Sequence, residues 1–170
     1  MSGKTFGKTM NHGFAGSYGR QPDMIINTRA NVGADNIVFG SPVMKGTKNT
    51  VVGVKNVTDA FTAAAFVGVA SREIKSALNY TNQNAGGAYV VDEPVPVFER
   101  GSINVICKVG TPVLGGKVYV RIVTTTGKAI GDFEATADST NSIELTNAQW
   151  GGSPDANGVA ELVLLTRVNA

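Results

Sequence analysis

The sequence predicts one mainly β domain that follows an extended N-terminal arm and contains at most one or two short helices. A chain of 170 residues is long enough for one hydrophobic core, whereas two domains would be cramped. Hydrophobic residues make up 42% of the chain, which is too many for a disordered protein. The 21 glycines, together with abundant Val, Thr and Asn, suit short strands and turns better than helices.

The arm is assigned to residues 1–20 and the domain to residues 21–170. The arm contains five glycines and three basic residues but no acidic residue, and it sustains neither a strand period nor a helix period. We therefore expect a flexible or extended segment that does not fold by itself. The candidates for contact with a partner are Phe6, Phe14, Tyr18 and Arg20.

The first part of the domain is predicted to contain strands at residues 24–29 and 50–54, with a turn at 45–47 around Gly46. Residues 58–80 are ambiguous, because their alanines favour a helix whereas the run 66–70 is β-branched with a central Gly. We expect one helical turn near residues 59–65 and a strand at 66–72. A polar loop, residues 79–87, follows.

The stretch from Tyr89 to Val123 is the most regular part of the chain and is predicted to form three short strands. The first contains Val95 and Val97, and a turn at residues 99–102 ends it. The second strand, residues 103–109, places apolar side chains at every second position and therefore on one face. After a Gly-Thr-Pro break, the third strand covers residues 117–123.

The C-terminal part is predicted to contain three further strands, at residues 130–135, 142–145 and 159–168. Residues 150–158 contain Gly, Pro, Asp and Asn and are predicted to be a loop. No internal repeat is visible.

No catalytic or metal-binding pattern stands out. One Cys and one His cannot form a disulfide or a zinc site. His12 lies in the arm, whereas Cys107 alternates with apolar residues, so we expect Cys107 to be a buried, inert thiol. Two acidic pairs, Asp92 with Glu93 and Asp132 with Glu134, belong to no recognisable motif and are interpreted as solvated surface. We therefore expect no enzymatic activity, no cofactor and no metal.

Charge and hydropathy limit the possible partners. A net charge of +2 is too small to indicate binding to nucleic acid or to a membrane. No apolar run approaches the roughly 20 residues of a membrane span, and the first residues lack the apolar core of a signal peptide. We therefore expect synthesis in a cytoplasm.

Several short motifs occur in an order that resembles one protein family. They are GFAG at 13–16, FGSPV at 39–43, FVGVA at 66–70 with Arg72, Tyr89, PVPV at 94–97, RGSI at 100–103, GKVYV at 116–120, Trp150 and NGVA at 157–160. This ordered set resembles the structural cement or decoration proteins of tailed-bacteriophage capsids, from about Gly13 to Leu165.

The resemblance implies a β-barrel-like or β-tulip domain on the outside of the capsid shell, with no enzymatic activity and no catalytic residues. It also implies that the partners are the major capsid protein and copies of the chain itself, commonly as a homotrimer at three-fold positions. The protein would then be located in the virion, after synthesis in the cytoplasm of a bacterial host.

Three alternatives remain open at this stage. The first is another phage structural module, such as a tail-tube or fibre protein. The second is a nucleic-acid-binding β-barrel, against which the low net charge argues. The third is an enzyme that uses scattered acidic residues, against which the absence of a catalytic pattern argues.

Overall fold

The computed structural model describes residues 11–73 and 87–166. Within these residues the chain is mainly β, with a closed five-strand barrel and a single 3-10 turn at Ala63–Ala65, which confirms the predicted fold class. The strands are β1 (Tyr18–Ala30), β2 (Ile37–Val38), β3 (Pro42–Lys48), β4 (Val51–Asn56), β5 (Phe66–Ala70), β6 (Ala88–Tyr89), β7 (Pro94–Val109), β8 (Lys117–Arg121), β9 (Phe133–Glu134), β10 (Ser142–Trp150) and β11 (Val159–Leu164).

Strand β7 connects the two parts of the sheet. Its first half pairs with β1 and with β5, and β5 continues the sheet to β3 and β4. Its second half pairs antiparallel with β11 and parallel with β9. Because β11 pairs with β10, β10 with β8, and β8 with β9, these strands close a barrel on β7. One long strand therefore belongs to both halves of the fold.

The predicted turn at residues 99–102 is wrong, because β7 runs through it without interruption. Gly101 has a φ of 104°, and a Cβ atom placed there would lie 2.0 Å from the carbonyl oxygen of Asp23. The pairing of β1 with β7 is irregular at this point, between Arg20 and Ile25. Gly101 is therefore a bulge that lets β1 approach closely, rather than a turn residue.

The predicted turn at residues 45–47 is also wrong. Gly46 lies in the middle of β3, directly opposite Gly53 of β4. The chain reverses instead at Asn49 and Thr50, which have φ values of 47° and 70°, as a two-residue hairpin turn requires. Gly53 is needed for space, because a Cβ atom there would lie 2.3 Å from the carbonyl oxygen of Ala30.

The ambiguous region resolves largely as predicted. The 3-10 turn Ala63–Ala65 lies inside the predicted helical turn, and β5, Phe66–Ala70, accounts for the predicted strand. β4 and β11 likewise match the strands predicted at 50–54 and from 159 onward. The predicted polar loop lies outside the described residues except for Gly87.

The buried apolar side chains form two clusters. The larger fills the barrel and extends beneath β1 and β5. Its members include Phe66, Phe98, Ile103, Val105, Val118, Val120, Phe133, Leu145, Trp150, Leu162 and Leu164. The smaller contains Ile37, Phe39, Val43, Val54, Ala70, Tyr89, Val95 and Val97. Trp150 is fully buried at the end of β10, so its predicted place in a loop is wrong.

A buried ion pair lies within the barrel wall. The guanidinium of Arg121, on β8, donates to the carboxylate of Glu134, on β9, and neither side chain is exposed. Oε2 of Glu134 has no hydrogen-bond partner among the described residues. The interpretation of Glu134 as solvated surface is therefore wrong, because a partner 13 residues away stabilises its burial.

Arg121 also reaches the half-buried carboxylate of Asp138 and so ties the β9–β10 connection to the barrel. Burial lowers the pKa of Arg121, but its hydrogen bonds to Asp138 and Glu134 outweigh this effect and raise the pKa overall. The hydrogen bond from Arg121 lowers the pKa of Asp138 below its ordinary value. Arg121 and Asp138 are therefore charged near neutral pH.

We expect Arg121→Met to reduce the free energy of unfolding by about 3 kcal/mol, because it leaves the buried Glu134 carboxylate without its cation. For a domain of this size the melting temperature should fall by roughly 6–12 °C. Lys117→Met is the matched control. It breaks only the exposed Lys117–Glu144 pair, in which the Lys117 side chain is 66% exposed, and should leave the melting temperature nearly unchanged.

The double variant Arg121→Met with Glu134→Leu separates charge from packing. It should recover much of the loss, since it leaves no unpaired carboxylate in the barrel wall. Equal melting temperatures for wild type and Arg121→Met would contradict the structural role given to this ion pair.

Candidate functional site

The described part of the arm, residues 11–20, lies against the domain along β7. The backbone N–H of Gly16 donates to the carbonyl oxygen of Asn104 at 2.7 Å, and the N–H of Asn104 donates to Ser17 at 2.8 Å. The side-chain amide of Asn104 donates to the carbonyl oxygen of His12 at 2.7 Å. The N–H of Arg72 donates to Gly16 at 2.8 Å. These bonds join the arm to both β7 and the segment after β5.

Gly16 allows this close approach. Its φ is 83°, and a Cβ atom at this position would lie about 3 Å from backbone atoms of Gly40, Arg72 and Ala70. Gly40 is under the same constraint, because its own Cβ would lie 2.7 Å from the side chain of Ala15. The two glycines therefore allow the arm to pack closely against the domain at this point.

Asp155 is the second anchor of the arm. Its Oδ2 accepts from the backbone N–H of His12 at 3.0 Å, and its Oδ1 accepts from the N–H groups of Asn157 and Val159 at 2.8 and 3.0 Å. Burial raises the pKa of the Asp155 carboxyl, but these backbone hydrogen bonds outweigh burial and hold the pKa below its ordinary value. One carboxylate thus connects the arm to the start of β11.

Phe14 is the exposed aromatic residue of the arm. Its side chain is 56% exposed, and the guanidinium of Arg72 lies 4.7 Å from the centre of its ring. The same guanidinium lies 5.6 Å from the ring centre of the buried Phe39. Stacking of the cation between two rings gives Phe14 a defined position while its outer face stays accessible.

Tyr18 is half-buried and packs against the domain. Its ring stacks on Phe98 with the centroids 5.9 Å apart, and its hydroxyl donates to the carboxylate of Glu73. Burial, together with the hydrogen bond to Glu73, raises the pKa of Tyr18 to about 12.

Arg20 makes a two-point ion pair with Glu161 of β11. Its Nε and Nη2 atoms lie 2.7 and 3.1 Å from the two carboxylate oxygens, and the Arg20 side chain is 73% exposed. The predicted contact residues Phe14, Tyr18 and Arg20 therefore lie on one short segment. Phe6 lies outside the described residues. No contact with a partner is tested for any of the four, so that assignment stays a prediction.

Two exposed apolar residues near the arm are absent from the sequence prediction. Val38 and Ile106 are 47% and 39% exposed and line one groove together with Ala15 of the arm. Ile106 lies on the outer face of β7, between inward-facing Val105 and Cys107. Ile106 could have been identified from the sequence, because it is an apolar residue at an outward-facing position of a strand with alternating pattern.

The described residues contain no cluster of three or more His, Cys, Asp or Glu side chains that is suitable for a metal ion. In the same residues, no helix has the length and hydropathy needed to span a membrane.

Comparison with known proteins identifies the family. Residues 3–165 match the family described as "Structural cement protein (E217 gp24/Pam3 gp6)", and the chain belongs to this family of phage cement proteins. The resemblance found in the sequence is therefore confirmed. The family name implies a structural role rather than an enzymatic one. No curated protein matches the chain.

A solved structure shows the same fold. A chain in the structure of the capsid of Myoviridae phage XM1 has a TM-score of 0.68 to this protein, with 14% sequence identity and 96% coverage of both chains.

We expect Asp155→Asn to loosen the arm while the domain stays folded. An amide can still accept from Asn157 and Val159, but its NH₂ group cannot accept from the N–H of His12. Amide hydrogen exchange at residues 12–17 should become roughly fivefold faster, which corresponds to the loss of one ordinary hydrogen bond. Asp23→Asn, at the exposed pair with Arg100, is the control and should leave these rates unchanged.

Acidification should have the same effect in the wild-type protein. A carboxyl with a lowered pKa contributes its stability above the ordinary pKa and loses it as the pH falls through the lowered value. Exchange rates at residues 12–17 that respond to neither the substitution nor the pH, after correction for intrinsic exchange, would contradict the anchoring role of Asp155.

Proposed function

We propose that this protein is a capsid cement that binds the outside of the major capsid lattice as a homotrimer and stabilises the shell across subunit joints. Membership of the phage structural cement family supports a capsid structural role. The arm is attached to the domain through Gly16 and through the bond from His12 to Asp155. This double attachment is the observation that supports the further proposal, namely that the protein bridges capsid subunits.

The anchored arm gives the proposal a mechanical basis. A contact made by residues 1–10 transmits force through His12 to Asp155 and through Gly16 to β7. β7 belongs to both the barrel and the adjoining sheet, so the force is spread over the whole domain. A segment without a core of its own can also cover a large area of a partner when it orders on binding.

The exposed apolar residues support contact with neighbouring subunits. Val113 and Leu114, in the connection between β7 and β8, are 57% and 80% exposed. Val51 and Val52, next to the turn of the β3–β4 hairpin, are 52% and 59% exposed. Adjacent apolar side chains at the tips of a domain are typical of interaction sites.

A trimer fits this role for a reason of multivalency. One arm and a few apolar tips make a weak contact, but three copies that engage neighbouring capsid subunits together bind with an avidity far above that of one copy. Three-fold symmetry also matches each identical surface to an identical lattice position.

Co-sedimentation with capsids that lack this protein tests the proposal. We expect saturable binding, with a stoichiometry that matches the three-fold positions, and a higher temperature of capsid disruption. Failure to bind, or a ring or fibre stoichiometry on tail assemblies, would contradict the cement function.

Removal of residues 1–10 separates the arm from the domain in the same assay. This variant keeps the anchors at Gly16 and Asp155, so it should fold with an unchanged melting temperature. It should bind capsids at least tenfold more weakly, because the apolar surface that residues 1–10 bury on the capsid is lost. A chain that starts at Pro22 is the contrasting variant. It also loses the packing of Tyr18 on Phe98 and should melt at a lower temperature. Capsid binding unaltered by loss of residues 1–10 would exclude the arm from the contact.

A further inference from the structure

The turn before β11 contains the one Asn–Gly step of the sequence, Asn157–Gly158. The Asn157 side chain is exposed, and Gly158 has a φ of 75°. Apart from its chain neighbours, a Cβ atom built at Gly158 would meet a single atom within 4 Å, the carbonyl oxygen of Cys107 at 3.6 Å. The backbone nitrogen of Gly158 is therefore unobstructed, because glycine has no side chain and the surroundings are open.

Asp155 holds this turn in shape. Its Oδ1 accepts from the N–H groups of Asn157 and Val159 at 2.8 and 3.0 Å. Its backbone carbonyl oxygen accepts from the N–H of Gly158 at 3.0 Å, and its own N–H donates to Val159 at 2.8 Å. The remaining carboxylate oxygen, Oδ2, accepts from the N–H of His12. The shape of the turn therefore decides whether Asp155 reaches the arm.

We propose that Asn157 is a site of spontaneous deamidation and that the reaction loosens the arm. Asn is among the thermolabile residues of proteins. The backbone nitrogen of Gly158 attacks Cγ of Asn157, so that an N–Cγ bond forms and the Cγ–Nδ2 bond breaks. The side-chain nitrogen leaves as ammonia with the proton of the Gly158 amide. Water then opens the five-membered imide at either of its carbonyl carbons, which gives aspartate or isoaspartate without any oxidation or reduction.

The hydrogen bond of the attacking nitrogen sets the rate. The N–H of Gly158 donates to the carbonyl oxygen of Asp155, and this bond must open before the nitrogen can attack. Opening one ordinary hydrogen bond at an exposed turn slows the reaction by about two- to tenfold. Asn157 therefore reacts within about tenfold of the rate of an unstructured peptide of the same sequence.

The two products affect the arm differently. In isoaspartate the main chain runs through the side-chain carbon, so the backbone between positions 157 and 158 gains one CH₂ group. This insertion moves the N–H of Val159 away from Oδ1 of Asp155, and the carboxylate loses the position from which it accepts from His12. The aspartate product keeps the normal backbone and adds only an exposed charge, so it leaves the turn intact.

Peptide mass mapping of the purified protein during incubation in mildly alkaline buffer tests the chemistry. We expect conversion of the amide to an acid at Asn157, at a rate within about tenfold of that of a synthetic peptide covering the turn. Asn49 is the internal control, because it is also exposed in a turn but precedes the β-branched Thr50. Asp155→Ala removes the side-chain acceptors of the turn and should raise the rate at Asn157 to that of the peptide. An Asn157 that reacts no faster than Asn49 would overturn the proposal.

Amide hydrogen exchange at residues 12–17 tests the effect on the arm. In the isoaspartate fraction of the incubated protein, exchange should be roughly fivefold faster than in fresh protein, as the loss of one hydrogen bond predicts. Asn157→Gln, incubated in the same way, should keep the fresh rate, because its longer side chain does not form the five-membered ring. Asn157→Asp should also keep the fresh rate, since its backbone is normal. Equal exchange in the isoaspartate fraction and in fresh protein would overturn the link between the turn and the arm.

Discussion

The continuous pairing of β7 is the constraint on which the rest of the structure depends. Over 16 residues this strand holds β1 and β5 in one sheet and closes the barrel with β11 and β9. It remains continuous because Gly101 takes up the irregular approach of β1 as a bulge. Glu99, just before the bulge, is 3% exposed and accepts from Arg29 at 2.8 Å and from Asn27 at 3.0 Å, which fixes β1 onto the strand.

The same strand determines where the arm is attached to the domain. Asn104 of β7 binds the arm through its backbone and its side chain, and Asp155 accepts a hydrogen bond from His12 of the arm. This arrangement suits the proposed contact of the arm with a capsid subunit. A contact segment that leaves a domain from a fixed point loses less conformational entropy on binding than one that leaves from a mobile linker.

The sequence was sufficient for features that depend on local pattern. Alternating apolar residues located the second half of β7 and the closing strand, and composition gave the fold class. Glycines were less informative, because Gly46 and Gly101 serve close packing of neighbouring strands, whereas both were interpreted as turn residues. The burial of Glu134 could not be predicted from the sequence, because it depends on Arg121 from another strand. The bond that joins His12 to Asp155 crosses more than 140 residues of sequence, so no local pattern indicates it.

A cryo-electron-microscopy reconstruction of the virion that contains this protein tests the cement function most directly. We expect density for the β domain on the outside of the capsid at three-fold positions, with residues 1–10 in contact with a capsid subunit. Density for the domain on the tail, or on the capsid with no contact from the arm, would contradict it.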